Sequence, residues 1–350
     1  MSAALNARST VDGTNVAALM TSAPHRIVAN LAGPAVLAAD LAGCLGRIGT
    51  IASAEPLIVS DVVAGVVGGG KRLRPLLVLA TAYAAAAPLD PRARDRAVQA
   101  GAVVELLHLA SLVHDDVMDE SATRHGVDSV NIREGNIRAV LAGDYLLAQG
   151  LLAGSSLGAE EGAVAARTFS RLCEGQARES AALFDVDRTE ESYLEAISGK
   201  TAALLATACR LGAMAVGLPA DAVEALAAYG HHMGLAFQLV DDLLDVTSSA
   251  EALGKPAGHD IVEGVYTLPV VHALRERPGL RELLRRGDRA AAAVAVRVVR
   301  ETGGLDVTRR AAEAHSAQAI DALSAAAEHL SPAGRTMLAE LADVLVERRH

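Results

Sequence analysis

Two short acidic strings carry the most chemistry in this 350-residue chain. They are Asp115, Asp116 and Asp119 in LVHDDVMDE, and Asp241, Asp242 and Asp245 in LVDDLLDV. On a helix the first and third aspartates of each string stand one turn apart on one face, with the middle one about 100° away. Three carboxylates so close repel one another and lose water unless positive charge sits among them. Mg2+ takes hard oxygen ligands, one or two carboxylates completed by phosphate oxygens. A solvated helix end would explain one such string. Two of the same D-D-x-x-D spacing, each at the foot of an apolar segment, point to metal binding.

Cations accompany the acids. Lys71 and Arg74 follow the turn Gly68, Gly69, Gly70 and share a face if a helix starts there. Arg124 comes soon after the first string, and Lys255 follows the second in a Gly/Pro loop. Lys200 and Thr201 interrupt an otherwise apolar helix, ISGKTAALLATACRLGA, where a lysine needs a partner. Metals bridging phosphate to aspartate, with Lys and Arg on the remaining oxygens, fit this set, and diphosphate is the anion that suits it best. No G-x-x-x-x-G-K-[ST] string occurs, which excludes a P-loop.

The elements that must position these groups are helices. Hydrophobic residues make up 51% and charged residues 21%, enough apolar content for a large core. Helical periodicity recurs and alternating strand patterns are nearly absent, so the expected class is all-α, one large bundle. Residues 1–25 are small and polar and read as a frayed tail; residues 26–350 read as a single domain. Helices are expected over Pro34–Ile48 and Leu57–Val67, then from the Asp90–Pro91 cap through the first acidic string. A loop to Ser129 follows, then helices over Ile132–Leu152, Glu161–Phe184, Glu190–Val216 and Ala220–Val246, and a loop over Thr247–Gly264. The alanine-rich C-terminal third should break at Gly303–Gly304 and Ser331–Pro332. Its last helix packs Met337, Leu338, Leu341, Val344 and Leu345 in one stripe.

The net charge of -10 argues against binding a nucleic-acid backbone. Cys44, Cys173 and Cys209 lie far apart and read as reduced core residues of a cytoplasmic protein. No signal peptide is evident, and no 18-residue apolar stretch runs without a charge or break, so no membrane span is expected.

Seven strings, in order, resemble the all-trans isoprenyl diphosphate synthases of the polyprenyl synthetase family. They are GGGKRLRP (68–75), ELLHLASLVHDDVMDESATRHG (105–126), AGDYLLA (142–148), GQARE (175–179), GKTAALLATACRLGA (199–213), FQLVDDLLD (237–245) and GKPAGHDIVEGVYTLP (254–269). The resemblance implies a helical bundle around a deep central cavity, the isoprenoid synthase type, as a homodimer. The implied reaction condenses an allylic diphosphate (geranyl, farnesyl or geranylgeranyl) with isopentenyl diphosphate, head to tail. It further implies Mg2+, three ions to a site, held by Asp115, Asp116, Asp119, Asp241, Asp242 and Asp245. The first three, with Lys200, are the implied catalytic residues. Arg124, Lys200, Thr201, Gln238 and Lys255 would bind the allylic diphosphate. Lys71, Arg74 and His108, helped by His125, would hold isopentenyl diphosphate.

One position departs from the family pattern, which has two arginines where this chain reads Arg124-His125. Histidine at neutral pH is mostly uncharged and lacks arginine's fixed fork, so a weaker grip or sharper pH dependence is expected there. The growing tail should run back along the helix from Asp115 past Ser111, Ala110 and Leu107. Small Ala110 and Ser111 leave that path open, which favours a product of geranylgeranyl length or longer. Two rivals fit less well. A terpene cyclase steers cations with aromatic walls, but aromatics are 2% with no tryptophan. A non-catalytic subunit would not need both acidic strings and nearly all the cations.

Overall fold

A computed structural model describes residues 14–55, 70–124, 127–247, 258–285 and 289–346. Helices dominate them, as expected. α1 (Thr14–Leu19), α2 (Ala23–Ala32), α3 (Pro34–Ala54), α4 (Leu73–Ala84) and α5 (Pro91–Met118) come first. A two-residue ribbon, β1 (Thr123–Arg124) with β2 (Val127–Asp128), precedes α6 (Val130–Glu134), α7 (Asn136–Leu157) and α8 (Ala159–Ala181). Then come α9 (Glu190–Ile197), a π segment (Ser198–Ala202), α10 (Ala203–Ala215) and α11 (Ala220–Thr247). The chain ends with α12 (His259–Val262), α13 (Leu268–Glu276), α14 (Pro278–Leu284), α15 (Arg289–Glu301), α16 (Gly304–Ala325) and α17 (Pro332–Val346). The helix expected over Leu57–Val67 lies wholly outside the described residues. The backbone groups into two compact units: 1–169 with 207–227 and 323–341, and 170–206 with 228–322 and 342–350.

In the first unit α5 is the central helix. Asp90 caps it, its Oδ1 accepting from the Ala93 amide at 2.8 Å, with Pro91 supplying the first helical φ. Leu106, Leu107, Ala110 and Val113 are all 0% exposed, and each buried leucine contributes about 1.5–3 kcal/mol. α7 lies close against α5 because its contact positions lack side chains. A Cβ on Gly150 would sit 3.2 Å from Leu107 Cδ2, and one on Gly154 would meet Val103 Cγ1 at 3.6 Å. α3 and α5 are each long and apolar enough to cross a membrane by length and composition. Each instead buries a stripe in protein: on α3 it is Leu37, Leu41, Cys44, Leu45 and Ile48.

In the second unit one cluster joins Val246, Ile261, Tyr266, Val270 and Val299. Another joins Tyr193, Ile197, Leu235, Leu239 and Leu268. The caps read from sequence recur: Gly303–Gly304 opens α16, and Ser331 Oγ accepts from the Gly334 amide at 2.9 Å at the start of α17. Cys44 and Cys209 are buried as expected, whereas Cys173 is exposed.

Residues 14–25 correct the frayed tail expected over 1–25. Here α1 and the start of α2 form because Val16, Leu19 and His25 are buried, which outweighs weak local propensity. His25 Nδ1 lies 2.7 Å from Ser22 Oγ, while Nε2 finds no hydrogen-bond partner among the described residues. Burial pushes its pKa down from 6.5 to about 4. Folded His25 is therefore neutral while the unfolded chain takes up a proton below pH 6.5. Its contribution is complete above 6.5 and falls as pH drops towards about 4. The loss amounts to as much as ~3 kcal/mol. His25→Gln should flatten the urea-unfolding free energy between pH 7 and 5 relative to wild type. An unchanged slope would mean that His25 titrates normally.

Candidate active site

The first acidic string ends α5. Asp119 is its C-cap, with its amide bonded to the Asp115 carbonyl at 2.8 Å. Glu120 then takes a left-handed φ of 48°, and the Ser121 amide returns to the Asp116 carbonyl at 3.0 Å. Asn131 Nδ2, from α6, donates to that same carbonyl at 3.0 Å. The helix end is thus fixed by backbone bonds and the Asn131 amide. Asp115 is half-buried, Asp119 exposed, and Asp116 fully enclosed.

The second string lies in the last turns of α11. Asp241 is half-buried, and Asp242 and Asp245 are buried. The Gly258 amide donates to the Asp245 carbonyl at 2.8 Å, and the Asp260 amide to Asp245 Oδ2 at 3.4 Å, so the start of α12 steadies this turn. Neither α5 nor α11 has a basic residue in its last turn. Helix dipoles make C-terminal ends negative, and an acid there costs about 0.3–1 kcal/mol where a base would help. Both helices therefore concentrate like charge where the backbone already disfavours it. A cation relieves that strain.

Asp242 shows the strain most clearly. Burial first, then the charges of Asp260 and Asp241, push its pKa up to about 8 against the hydrogen bonds of Tyr193 and Gln238. Among the described residues no three carboxylate, imidazole or thiol groups form a metal cage by themselves. That donor set fits an ion completed by substrate phosphate oxygens and water, the manner in which Mg2+ is commonly held.

Lys200 and Thr201 occupy the π segment, an irregularity frequent at functional sites. Glycines on two helices let it approach closely. A Cβ on Gly175 of α8 would sit 2.3 Å from the Lys200 amide nitrogen, and one on Gly234 of α11 would sit 2.5 Å from Ala202 Cα. The lysine has the partner its apolar surroundings demand, since Nζ donates to Glu179, one turn along α8 from Gly175. Thr201 Oγ1 donates to Gln238 Oε1 at 2.9 Å, and Gln238 Nε2 to Asp242 Oδ1 at 2.9 Å. Thus Lys200, Thr201 and Gln238 are gathered beside the second acidic string.

The KRLRP turn is anchored differently. Arg72 adopts a left-handed φ of 47° and its Nη1 meets Glu105 Oε1 at 2.5 Å, with both side chains 3% exposed. This buried pair locks the turn onto α5 one turn before half-buried His108. It leaves Lys71 exposed and Arg74 at the start of α4. Arg124 lies in β1, while His125 and Lys255 fall outside the described residues. Of the residues expected to line the tail path, Leu107 and Ala110 are fully buried, whereas Ser111 is half-buried and shares the Asp115 face. Glu105, Glu179 and Tyr193 went unnoticed in the sequence. Glu105 had a signal, a charge inside AVVELLHLA; the other two are recognisable only by their partners.

The family model for polyprenyl synthetase matches residues 57–301. A nonaprenyl diphosphate synthase of Mycobacterium tuberculosis is 37% identical over 340 residues, covering 93% of this chain and 98% of that protein. A short chain isoprenyl diphosphate synthase of Methanothermobacter thermautotrophicus is 38% identical over 295 residues, 81% of this chain and 88% of the relative. Among solved structures, the polyprenyl synthase of Caulobacter crescentus, complexed with calcium and isoprenyl diphosphate, superposes with a TM-score of 0.83. It shares 34% identity over 93% of this chain and 98% of that one. The chain belongs to the polyprenyl synthetase family, with the all-helical isoprenoid synthase fold. It is a prenyltransferase that elongates all-trans chains.

Proposed function

We infer that the enzyme uses Mg2+ and adds isopentenyl diphosphate to geranyl, farnesyl or geranylgeranyl diphosphate, giving a product of geranylgeranyl length or longer. The carrying observation is the pair of helix ends that hold aspartates and no base where the backbone favours cations. The aspartates of both strings would hold Mg2+, which when bound neutralises charge building on the departing diphosphate. Lys200 and Thr201, with Gln238, would grip the diphosphate of the allylic substrate, and Arg124 and Lys255 would take further oxygens. Lys71, Arg74 and His108, with His125, would hold isopentenyl diphosphate so that its double bond meets the allylic carbon as the C–O bond breaks. The proton then lost from isopentenyl can pass to the released diphosphate, so no side-chain base is required.

Purified protein given Mg2+, isopentenyl diphosphate and each primer tests this by product mass. Elongated prenyl diphosphates are expected and should vanish with EDTA. A cyclic hydrocarbon formed without isopentenyl diphosphate, or no product from any primer, would overturn the reading. Chain length stays open to the same assay, because the relatives of nearly equal identity include both nonaprenyl and short-chain enzymes. Ser111→Phe places bulk on the half-buried position one turn from Asp115 and should shorten the product by one or more isoprene units. An unshifted mass distribution would route the tail elsewhere.

The homodimer belongs to the same reading. α7 exposes Ile137 at 80%, Leu152 at 64% and Leu141 at 51%, an apolar face that a second copy would cover. Light scattering that gives the mass of one chain would remove it.

A further inference from the structure

Arg188, in the turn between α8 and α9, is a buried cation without an acid in contact. The residue is 5% exposed. Among the described residues its guanidinium makes one hydrogen bond, from Nη1 to the Tyr266 carbonyl at 3.0 Å, and no ion pair. Nε is enclosed with no partner. Arginine keeps its charge in proteins, and an unpaired charge is costly to bury, so the position needs a reason. Its neighbours supply one. The ring centre of Tyr193, on α9, lies 5.5 Å from the guanidinium carbon, within cation–π range. That phenol donates to Asp242 in the second acidic string. Burial pulls the pKa of Arg188 down from its ordinary value, and the charge of Glu179, ahead of Asp242 and Asp185, opposes the fall. Glu179, on α8, is also the acceptor for Lys200.

Counting charge shows what this means for an incoming anion. Lys200 and Glu179 alone make a neutral pair, and a lysine cancelled in contact attracts a diphosphate weakly. With Arg188 behind the acid, two cations stand against one carboxylate, and the set of three carries +1. In low-dielectric surroundings that charge reaches further than it would in water. Arg188 is enclosed and held on the Tyr266 carbonyl, so it acts through Glu179 and Lys200 rather than by touching substrate. We propose that Arg188 is a positioning residue, a fixed internal counter-cation that offsets Glu179 and so leaves Lys200 an uncancelled charge for the allylic diphosphate. The proposal rests on the diphosphate-binding reading above and adds to it a residue outside the strings that carry the site.

Calorimetry on the full chain at saturating Mg2+ tests the count without turnover, with geranyl S-thiolodiphosphate, an unreactive allylic analogue, as the probe. Arg188→Gln keeps a donor for the Tyr266 carbonyl but takes the set to zero, and should weaken the analogue about five- to tenfold. Arg188→Lys keeps the charge and should stay within about twofold of wild type. Adding Glu179→Gln to Arg188→Gln returns the set to +1 and should recover most of the lost affinity. Damaged packing would not be repaired by losing a second buried contact. The proposal fails if Arg188→Gln binds the analogue like wild type, or if Arg188→Lys loses as much as Arg188→Gln. It fails equally if the double variant binds no better than Arg188→Gln alone. Should Arg188→Gln not fold, Glu179→Gln by itself decides: it takes the set to +2 and should tighten the analogue, and equal or weaker binding would overturn the idea. Wild-type protein that binds no analogue with Mg2+ would instead overturn the underlying diphosphate reading.

Discussion

Asp115→Ala should lower kcat by about two to three orders of magnitude, the size of effect seen when one preorganised electrostatic contact to a developing charge is removed. The fold should not suffer. Asp115 is half-buried at the C-terminal end of α5, next to Asp116 and Asp119, in a last turn that carries no basic residue of its own. Removing one like charge from the negative end of a helix dipole stabilises by up to ~1 kcal/mol. Activity and melting temperature should therefore move in opposite directions, a signature that general misfolding cannot imitate. Steady-state kinetics and thermal melts on the same preparation read both. Turnover near wild type would take the first acidic string out of the reaction, and a sharp fall in melting temperature would make it structural.

Glu105→Ala should have the largest effect on stability. The Arg72–Glu105 pair is 3% exposed on both sides, so losing the acid takes a close counter-charge from a buried cation. Breaking one partner of such a pair costs about 3–5 kcal/mol. The damage has a direction, too. Arg72 is held in a left-handed conformation just before α4, and without Glu105 the turn carrying Lys71 and Arg74 loses its anchor. The Michaelis constant for isopentenyl diphosphate should rise while that for the allylic substrate changes little. Chemical denaturation measures the first effect and initial rates the second. A loss under about 1 kcal/mol would mean that the pair is hydrated in solution.

Much of this was legible before any coordinates. α5, α7 and α11 announce themselves because their apolar periodicity is long, and Asp90–Pro91 marks its helix start by capping chemistry alone. The acidic strings and Lys200 stood out because charge inside apolar sequence requires a partner. Other features are tertiary and could not be read. Helix α1 has six residues, and only the burial of Val16 and Leu19 reveals why so short a segment stays ordered. Tyr193 reaches Asp242 across 49 residues, a pairing no local pattern encodes. The break between α6 and α7 escaped because Gly135, with φ 84°, lies inside an otherwise helical run.

The π segment between α9 and α10 sets a limit on how this part of the chain can vary in length. A π turn holds one residue more than an α turn. Deleting any one residue from Ser198–Ala202 would leave a regular helix with good backbone bonds, and local propensity would not object. Everything upstream, however, would swing by about 100° and slide ~1.5 Å along the axis. The phenol of Tyr193 would then point away from its acceptor, Asp242 Oδ2. An insertion or deletion here is therefore silent to secondary structure and ruinous to register, so homologous replacement of this stretch has to conserve its count of residues before it conserves their identities.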